Sequence, residues 1–289
     1  MHAIVMASDT SAISGLAVTG YTALLHASEP LAFWIVADGI DARTQGQLRA
    51  CWLRTGKLAA LHFLRPPRFP VWFRSGKWPA IAWSRCMLSD LLPPDVSKYV
   101  YLDIDLLVGR DVVELFRMDL EGCPAAMVLN SGMGEVDQRY VSGTLGLDPD
   151  DYYNSGVAIL DIAQFRRNGY DAALLEQCRR MPVEPWFPDQ DVFNVFFRGR
   201  IKRMEPVWNL RDANGDYPGN VIHFAGGPKP WKEPLSEHAT LGAQRWHALY
   251  REMGFAAPLW RPPGQMQIWG ERVYRKVLRQ ALSLRRRLN

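Results

Sequence analysis

Along the N-terminal third of the chain, apolar residues fall into two alternating rhythms. Short runs rich in β-branched residues predict strands at Ala3 to Ala7, Ala32 to Ala37 and Leu58 to Leu64, and helical spacing predicts helices at Ala12 to His26 and Ala42 to Arg54. This alternation signals a largely parallel α/β sheet. From Arg65 to Pro79, proline and tryptophan are too frequent for a regular element, which predicts a long functional loop. A helix is expected from Ala80 to Leu92, ending at Pro93-Pro94. Lys98 to Leu102 reads as a buried strand that stops at Asp103-Ile104-Asp105. Beyond Pro124 the pattern predicts strands at Ala125 to Leu129 and Gly156 to Leu160. Helices are expected over Ile162 to Arg180 and Gln190 to Phe197, and a short strand ends at His223. From Gln265 onward, Trp269, Val273, Val277, Ala281, Leu284 and Leu288 recur at helical spacing, with Arg272, Arg275, Lys276, Arg279 and Arg286 largely opposite. The division expected is a catalytic domain over residues 1–258 and a C-terminal basic amphipathic helix over 259–289.

Composition narrows the class. A chain of 289 residues, 48% hydrophobic, can bury a large core, which excludes disorder and a disulfide miniprotein. The net charge of +4 is a property of the tail. From Arg261 onward there are eight Lys or Arg and the single acid Glu271, leaving 26 basic against 29 acidic residues before it. The body has no basic patches interleaved with aromatics, so nucleic acid is not an expected partner. Cys51, Cys86, Cys123 and Cys178 form no metal-ligand spacing and fit a reducing compartment. No run reaches the roughly 20 apolar residues of a spanning helix, and no signal-peptide pattern opens the chain. The expected location is cytoplasmic, peripheral on the inner membrane face through the tail, where each Lys or Arg near anionic lipid contributes about 1 kcal/mol. Docking of the same helix on the protein body is the other reading.

Candidate chemistry begins at Asp103 and Asp105. Two carboxylates two residues apart, at the carboxyl end of a strand in an open α/β sheet, can reach one hard divalent cation such as Mg²⁺ or Mn²⁺. Such an ion would stabilise a departing nucleotide diphosphate. An isolated Asp-x-Asp is more often a turn, so companions matter. Three follow in chain order: Asn154-Ser155-Gly156-Val157, Pro188-Asp189-Gln190-Asp191, and His223 through Gly226 and Lys229 to Trp231. His223 offers an imidazole to the same cation, the glycines permit close backbone approach, and Lys229 supplies a point charge for phosphate.

With Ile4 to Asp9, Tyr101 to Asp105, Tyr153 to Val157, Pro188 to Asp191 and His223 to Trp231 in this order, the chain resembles glycosyltransferase family 8. These are retaining transferases that include bacterial lipo-oligosaccharide galactosyltransferases and glycogenin. The resemblance implies a GT-A fold: an α/β, Rossmann-like, mixed but mostly parallel sheet flanked by helices. It implies a UDP-sugar donor, UDP-galactose or UDP-glucose, and Mn²⁺ (Mg²⁺ possible) held by Asp103, Asp105 and His223. By the same carry-over Gly226 and Lys229 contact the diphosphate, Ala7 and Asp9 face the uracil, and Arg85, Asn154, Asp189 and Gln190 surround the sugar. The acceptor it implies is a lipopolysaccharide or other glycan, lipid-linked where the tail meets a membrane. Asp189 and Gln190 are the expected catalytic pair, placed to stabilise positive charge at the anomeric carbon. Two positions depart from the family pattern: Thr10-Ser11 after Asp9, and Leu129-Asn130 where some relatives carry an acid.

Trp72, Trp78 and Trp83 crowd the loop before the metal motif and read either as acceptor-stacking faces or as half-buried anchors. Trp186 precedes Pro188-Asp189-Gln190 and has the same two readings, whereas Trp34 and Trp52 belong to regular elements. Alternative functions are a phosphatase of the haloacid-dehalogenase type, a nucleotide-sugar or glycan binding protein without turnover, and a self-glucosylating primer. The first is disfavoured because Leu107 stands where that family carries threonine or valine.

Overall fold

Period-two alternation sorts the strand side chains onto two faces of one sheet. Along β1 (His2–Asp9), Ile4 and Met6 enter one core cluster while Ala3 and Val5 enter the other. The same division holds in β2 (Leu31–Asp38), with Phe33 and Ile35 on the first side and Trp34 and Val36 on the second. Strands covered on both faces read as continuous apolar runs, which is why these segments were legible as buried strands.

The structure is a computed structural model that describes residues 1–73, 79–181, 185–211, 213–226, 229–232 and 239–255. After β1 and β2 flank α1 (Ile13–His26) come α2 (Ala42–Leu53), β3 (Leu58–Leu64), β4 (Lys98–Leu102), β5 (Leu106–Val108) and α3 (Val113–Arg117). Then follow β6 (Ala125–Leu129), α4 (Glu135–Arg139), β7 (Tyr153–Asp161), α5 (Ile162–Asn168) and α6 (Tyr170–Arg180). The last elements are α7 (Pro188–Phe196), β8 (Ile201–Met204), β9 (Val221–His223) and α8 (Leu241–Glu252). The main sheet runs β3-β2-β1-β4-β7-β6-β8, and β5 pairs with β9 in a separate two-stranded ribbon. All neighbours in the main sheet are parallel except at β7, which runs against both β4 and β6. This is the expected mixed, mostly parallel α/β sheet.

Helix α1 ties the ribbon to the sheet. The Thr19 hydroxyl donates to Leu106 O at 2.8 Å and accepts from Leu106 N at 3.2 Å, and the Thr22 hydroxyl accepts from Val108 N at 3.2 Å. These bonds satisfy backbone groups of β5 that no second strand reaches. They also fix the start of β5, and so Asp105 immediately before it.

Several elements differ from expectation. The segment Ala80–Met87 is a 3₁₀ helix followed by turns, rather than an α-helix to Leu92. Ile81, Trp83, Ser84, Arg85 and Cys86 are all buried there, so the segment lacks the solvent face of an amphipathic α-helix. The helical stretch after Ile162 is two helices, broken at Gly169, whose φ of 64° ends α5 in a left-handed cap. Strand β7 begins at Tyr153, so Asn154 and Ser155 lie inside the sheet rather than in the loop before it. Helix α7 starts earlier than expected, with Pro188 in its first turn. Trp34 and Trp52 lie in β2 and α2, the regular elements expected, and both are buried. Trp83 is a buried anchor, 3% exposed and edge-on to Phe73, so the acceptor-stacking reading fails for it. Trp78, the segment 259–289 and its boundary at 258 lie outside the described residues. No helix among the described residues is long and apolar enough to cross a membrane.

Candidate active site

The carboxyl ends of β1 and β4 open onto one cleft of about 420 Å³. Because β7 is reversed, its amino end lies beside the carboxyl end of β4, with Val157 opposite Leu102 and Asp103 N donating to Gly156 O at 2.8 Å. Asn154 and Ser155 therefore reach the same rim as Asp103. The residues expected to bind donor or metal all line this cleft, namely Ala7, Asp9, Arg85, Asp103, Asp105, Asn154, Asp189, Gln190, His223, Gly226 and Lys229, whereas Trp72, Trp83 and Trp186 do not. The cleft residues come from segments as far apart in sequence as Ala7 and Lys229.

At one end stands a three-residue cluster. One ligand atom each from Asp103, Asp105 and His223 lie within 4.8 Å of one another. His223 Nε2 is 3.2 Å from Asp105 Oδ1 and 3.7 Å from Asp103 Oδ2. Lys229 Nζ pairs with Asp105 Oδ2 and donates to Phe224 O at 2.7 Å. Burial alone would raise the Asp105 carboxyl, but His223 and Lys229 outweigh it and hold that carboxyl well below the usual range. Behind the cluster, Asn209 Oδ1 meets His223 Nδ1 at 2.8 Å and Asn209 Nδ2 donates to Asn154 Oδ1 at 2.7 Å. Asn209 was not foreseen; a lone asparagine in a loop carries no motif. Gly156 is required by close approach, since a Cβ there would lie 2.3 Å from His223 Cε1.

Arg85 organises the other end. Its guanidinium donates to Asp103 Oδ1 at 2.9 Å and to Ser155 O at 2.5 Å, and stands 2.8 Å from Asp189 Oδ2 in an ion pair not aligned as a hydrogen bond. Burial pushes the Asp189 carboxyl up to about 6, partly offset by Arg85 and reinforced by Asp103. The Gln190 amide is engaged at both ends: Oε1 accepts from Ser155 N at 3.2 Å, and Nε2 donates to Tyr152 OH at 2.9 Å. Asp191, also unforeseen in its role, accepts from the Tyr140 hydroxyl at 2.7 Å and from the Tyr152 hydroxyl. Asn194 clamps α7 to β7, accepting from Tyr153 N at 2.7 Å and donating to Tyr153 O at 2.8 Å. Trp186 stacks on Tyr140 at 4.1 Å, beside Phe187, which lines the cleft. Asp9 caps the 3₁₀ turn after β1, accepting from Ser11 N at 2.8 Å and from the Ser11 hydroxyl at 2.6 Å.

The arrangement joins a cation-type ligand set, a lysine and a strand-end turn at one side to a buried arginine, carboxylate and amide at the other. Similar proteins share this architecture. The crystal structure of the galactosyltransferase LgtC in complex with donor and acceptor sugar analogs superposes with a TM-score of 0.71 at 21% identity, covering 88% of this chain and 97% of that one. The glycosyltransferase GlyE of Streptococcus pneumoniae TIGR4 gives 0.64 at 17% identity, covering 92% and 66%. Among curated proteins, the probable galacturonosyltransferase-like 6 of Arabidopsis thaliana is 29% identical over 171 residues, 52% of this chain and 49% of the relative. General stress protein A of Bacillus subtilis is 22% identical over 256 residues, 80% of this chain and 87% of that protein. The chain spans about half the length of the plant relatives it matches. The model of the family described as "Glycosyl transferase family 8" matches residues 3–234, a span that holds every residue of the cleft, and the phosphatase reading falls with that match. The chain belongs to glycosyl transferase family 8.

Proposed function

We propose that this protein transfers a hexose, with retention, from a UDP-sugar to a glycan acceptor such as a lipopolysaccharide, using a divalent cation held by Asp103, Asp105 and His223. The observation that carries this reading is the convergence of those three ligand atoms within 4.8 Å. Two carboxylate oxygens and an imidazole nitrogen suit Mn²⁺ or Mg²⁺, both hard enough to accept oxygen donors. When bound, the cation supplies charge stabilisation to the departing diphosphate.

The chain's own residues supply the rest. Lys229 neutralises diphosphate oxygens beside Gly226, whose φ of 69° turns the backbone there. Ala7 and Asp9 hold the uracil at the end of β1. Asn154, Arg85, Asp189 and Gln190 position the sugar, with Asp189 as the carboxylate and Gln190 as the amide dipole nearest the positive charge at the anomeric carbon. Neither identifies itself as a nucleophile: the Gln190 amide is bonded at both ends, and Asp189 is paired with Arg85. We therefore favour front-face attack, in which the departing phosphate oxygen takes the acceptor's proton. A trapped glycosyl ester on Asp189 during turnover refutes that route.

The test of the reaction class is UDP release from UDP-galactose, UDP-glucose and, prompted by the plant relatives' names, UDP-galacturonate. Each is run with Mn²⁺, with EDTA and with Asp105→Asn. Metal-dependent release from one donor, lost in the variant, is expected. No release and no metal-dependent donor binding would leave a binding protein of the same fold.

The basic run from Arg261 onward supports a second proposal, a cytoplasmic enzyme held at an anionic membrane face by that segment. Full-length protein is expected to sediment with vesicles containing phosphatidylglycerol. A chain truncated after Phe255 that sediments equally well removes the proposal.

A further inference from the structure

We infer that Asn209 is a positioning residue that holds a proton on Nδ1 of the His223 imidazole and so reserves Nε2, the nitrogen facing Asp103 and Asp105, for a cation. The inference rests on the proposed metal role of that triad and adds a residue which no motif marks.

The direction of every bond in the network is set by a backbone group. Gly156 N–H can only donate, and it lies 2.9 Å from Asn154 Oδ1, so that atom of Asn154 is an acceptor. The end of Asn209 that meets it at 2.7 Å is therefore the donor, Nδ2. The opposite end, Oδ1, is then the group facing His223 Nδ1 at 2.8 Å. A carbonyl oxygen cannot donate, so Nδ1 carries the proton. With Nδ1–H committed to Asn209, Nε2, the atom nearest both carboxylates, is the ring nitrogen left to ligate a cation, which takes the place of any proton there. All three side chains are enclosed, Asn154 at 7%, Asn209 at 5% and His223 at 3% exposure, so water does not compete freely for these bonds.

The backbone keeps Asn209 at its post. It follows the 3₁₀ turn Pro206–Trp208, with Asn209 N donating to Pro206 O at 3.0 Å. The next residue, Leu210, exchanges 2.8 Å bonds with β9, its N to Val221 O and its O from His223 N. Asn209 and His223 thus sit on adjoining rungs, and their side-chain bond closes a short ring. The network also couples the two ends of the cleft. With Oδ1 of Asn154 committed inside, its NH₂ is the end left for the cleft it lines.

The experiment uses full-length protein and Mn²⁺ alone, without sugar. In wild type, ¹⁵N shifts of the neutral His223 ring are expected to show Nδ1 protonated and Nε2 bare. Asn209→Leu is expected to lower Mn²⁺ affinity by about 10–100-fold, whereas Asn209→Asp, which keeps an acceptor for Nδ1–H, stays within about threefold of wild type. Asn209→Asp places a carboxylate against Asn154 Oδ1, so UDP-sugar binding is expected to weaken in that variant even where Mn²⁺ binding is kept. An Nε2–H tautomer in wild type overturns the inference, and this measurement depends on no variant folding. Equal Mn²⁺ affinity in wild type and Asn209→Leu overturns it as well. Wild type that binds no divalent cation would instead sink the metal reading on which it stands.

Discussion

The guanidinium carbon of Arg85 lies 3.6 Å above the centroid of the Tyr101 ring, on the strand that ends in the Asp-x-Asp motif. The ring holds the planar cation flat, which leaves its edges for Asp103 on one side and Asp189 on the other. Arg85 is thus the counter-charge for two carboxylates from distant parts of the chain.

Replacing it with an uncharged residue of similar length leaves the Asp189 carboxylate buried without its counter-charge. Arg85→Met is expected to lose about 3–5 kcal/mol of stability, read by urea denaturation. Its UDP release should fall to background, because Asp103 and Ser155 lose the group that aligns them.

Gly156→Ala sets a methyl group 2.3 Å from His223 Cε1, in a strand interior with no room to yield. The expected cost is about 1–3 kcal/mol, and Mn²⁺ affinity should drop with it because the imidazole is pushed off its carboxylate partners. Calorimetry with Mn²⁺ and a thermal melt read the two effects separately. A variant with unchanged Mn²⁺ binding would show that His223 is not held by this contact.

Asn194→Ala removes three bonds at once, two to Tyr153 and one to Gln190 O at 2.8 Å. It leaves Tyr153 N–H unpaired inside the sheet, at an expected cost of about 1–3 kcal/mol. Loosening Gln190 should lower kcat more than it raises the donor KM. Steady-state kinetics on UDP release separates the two.

Burial pushes the Asp171 carboxyl up to about 6, against the opposing bond from Ser89 N at 2.9 Å. Its folded value lies above the unfolded one of 3.8, so the native state keeps this proton where the unfolded chain has released it. The contribution of Asp171 to stability therefore falls as pH rises from about 4 to about 6 and is flat above. Asp171→Asn retains an acceptor for Ser89 and should flatten that segment of the stability–pH curve. Denaturant midpoints collected across the range give the slope, and an unchanged slope assigns it to other groups.

Much of this fold was legible because two-sided burial writes itself as unbroken apolar runs. Lys98–Leu102 and Ala125–Leu129 were delimited to the residue for that reason; Leu58–Leu64 was too, although it is an edge strand in which only Leu61 is buried, because its apolar composition alone carries the signal. What escaped were β5 and β8, only 3 and 4 residues long and paired with distant partners, and α8, although Gly242, Trp246 and Leu249 recur on its buried face at helical spacing. The 3₁₀ helix at Ala80–Met87 looks like an ordinary helix until its burial on most sides is seen. In the cleft, residues carried by short motifs were named in advance and lie together. Asn209, Tyr152 and Asn194 were not, since each acts by hydrogen bonds to groups far along the chain, and neither type nor spacing records such a partner.

The reversal of β7 separates two jobs that a fully parallel sheet would merge. The segment 130–152 leads into β7 and delivers Asn154 to the rim, while β4 and β9 deliver the cation-type ligands from the other direction. None of the residues 130–152 lines the cleft, but Tyr140 and Tyr152 bond Asp191, and Tyr152 accepts from Gln190, so exchanges there act on the Asp189–Gln190 end through those bonds without touching Asp103, Asp105 or His223. A library that spares Tyr140 and Tyr152 and varies the rest of that segment therefore leaves both the Asp103–Asp105–His223 cluster and the Asp191 bonds in place.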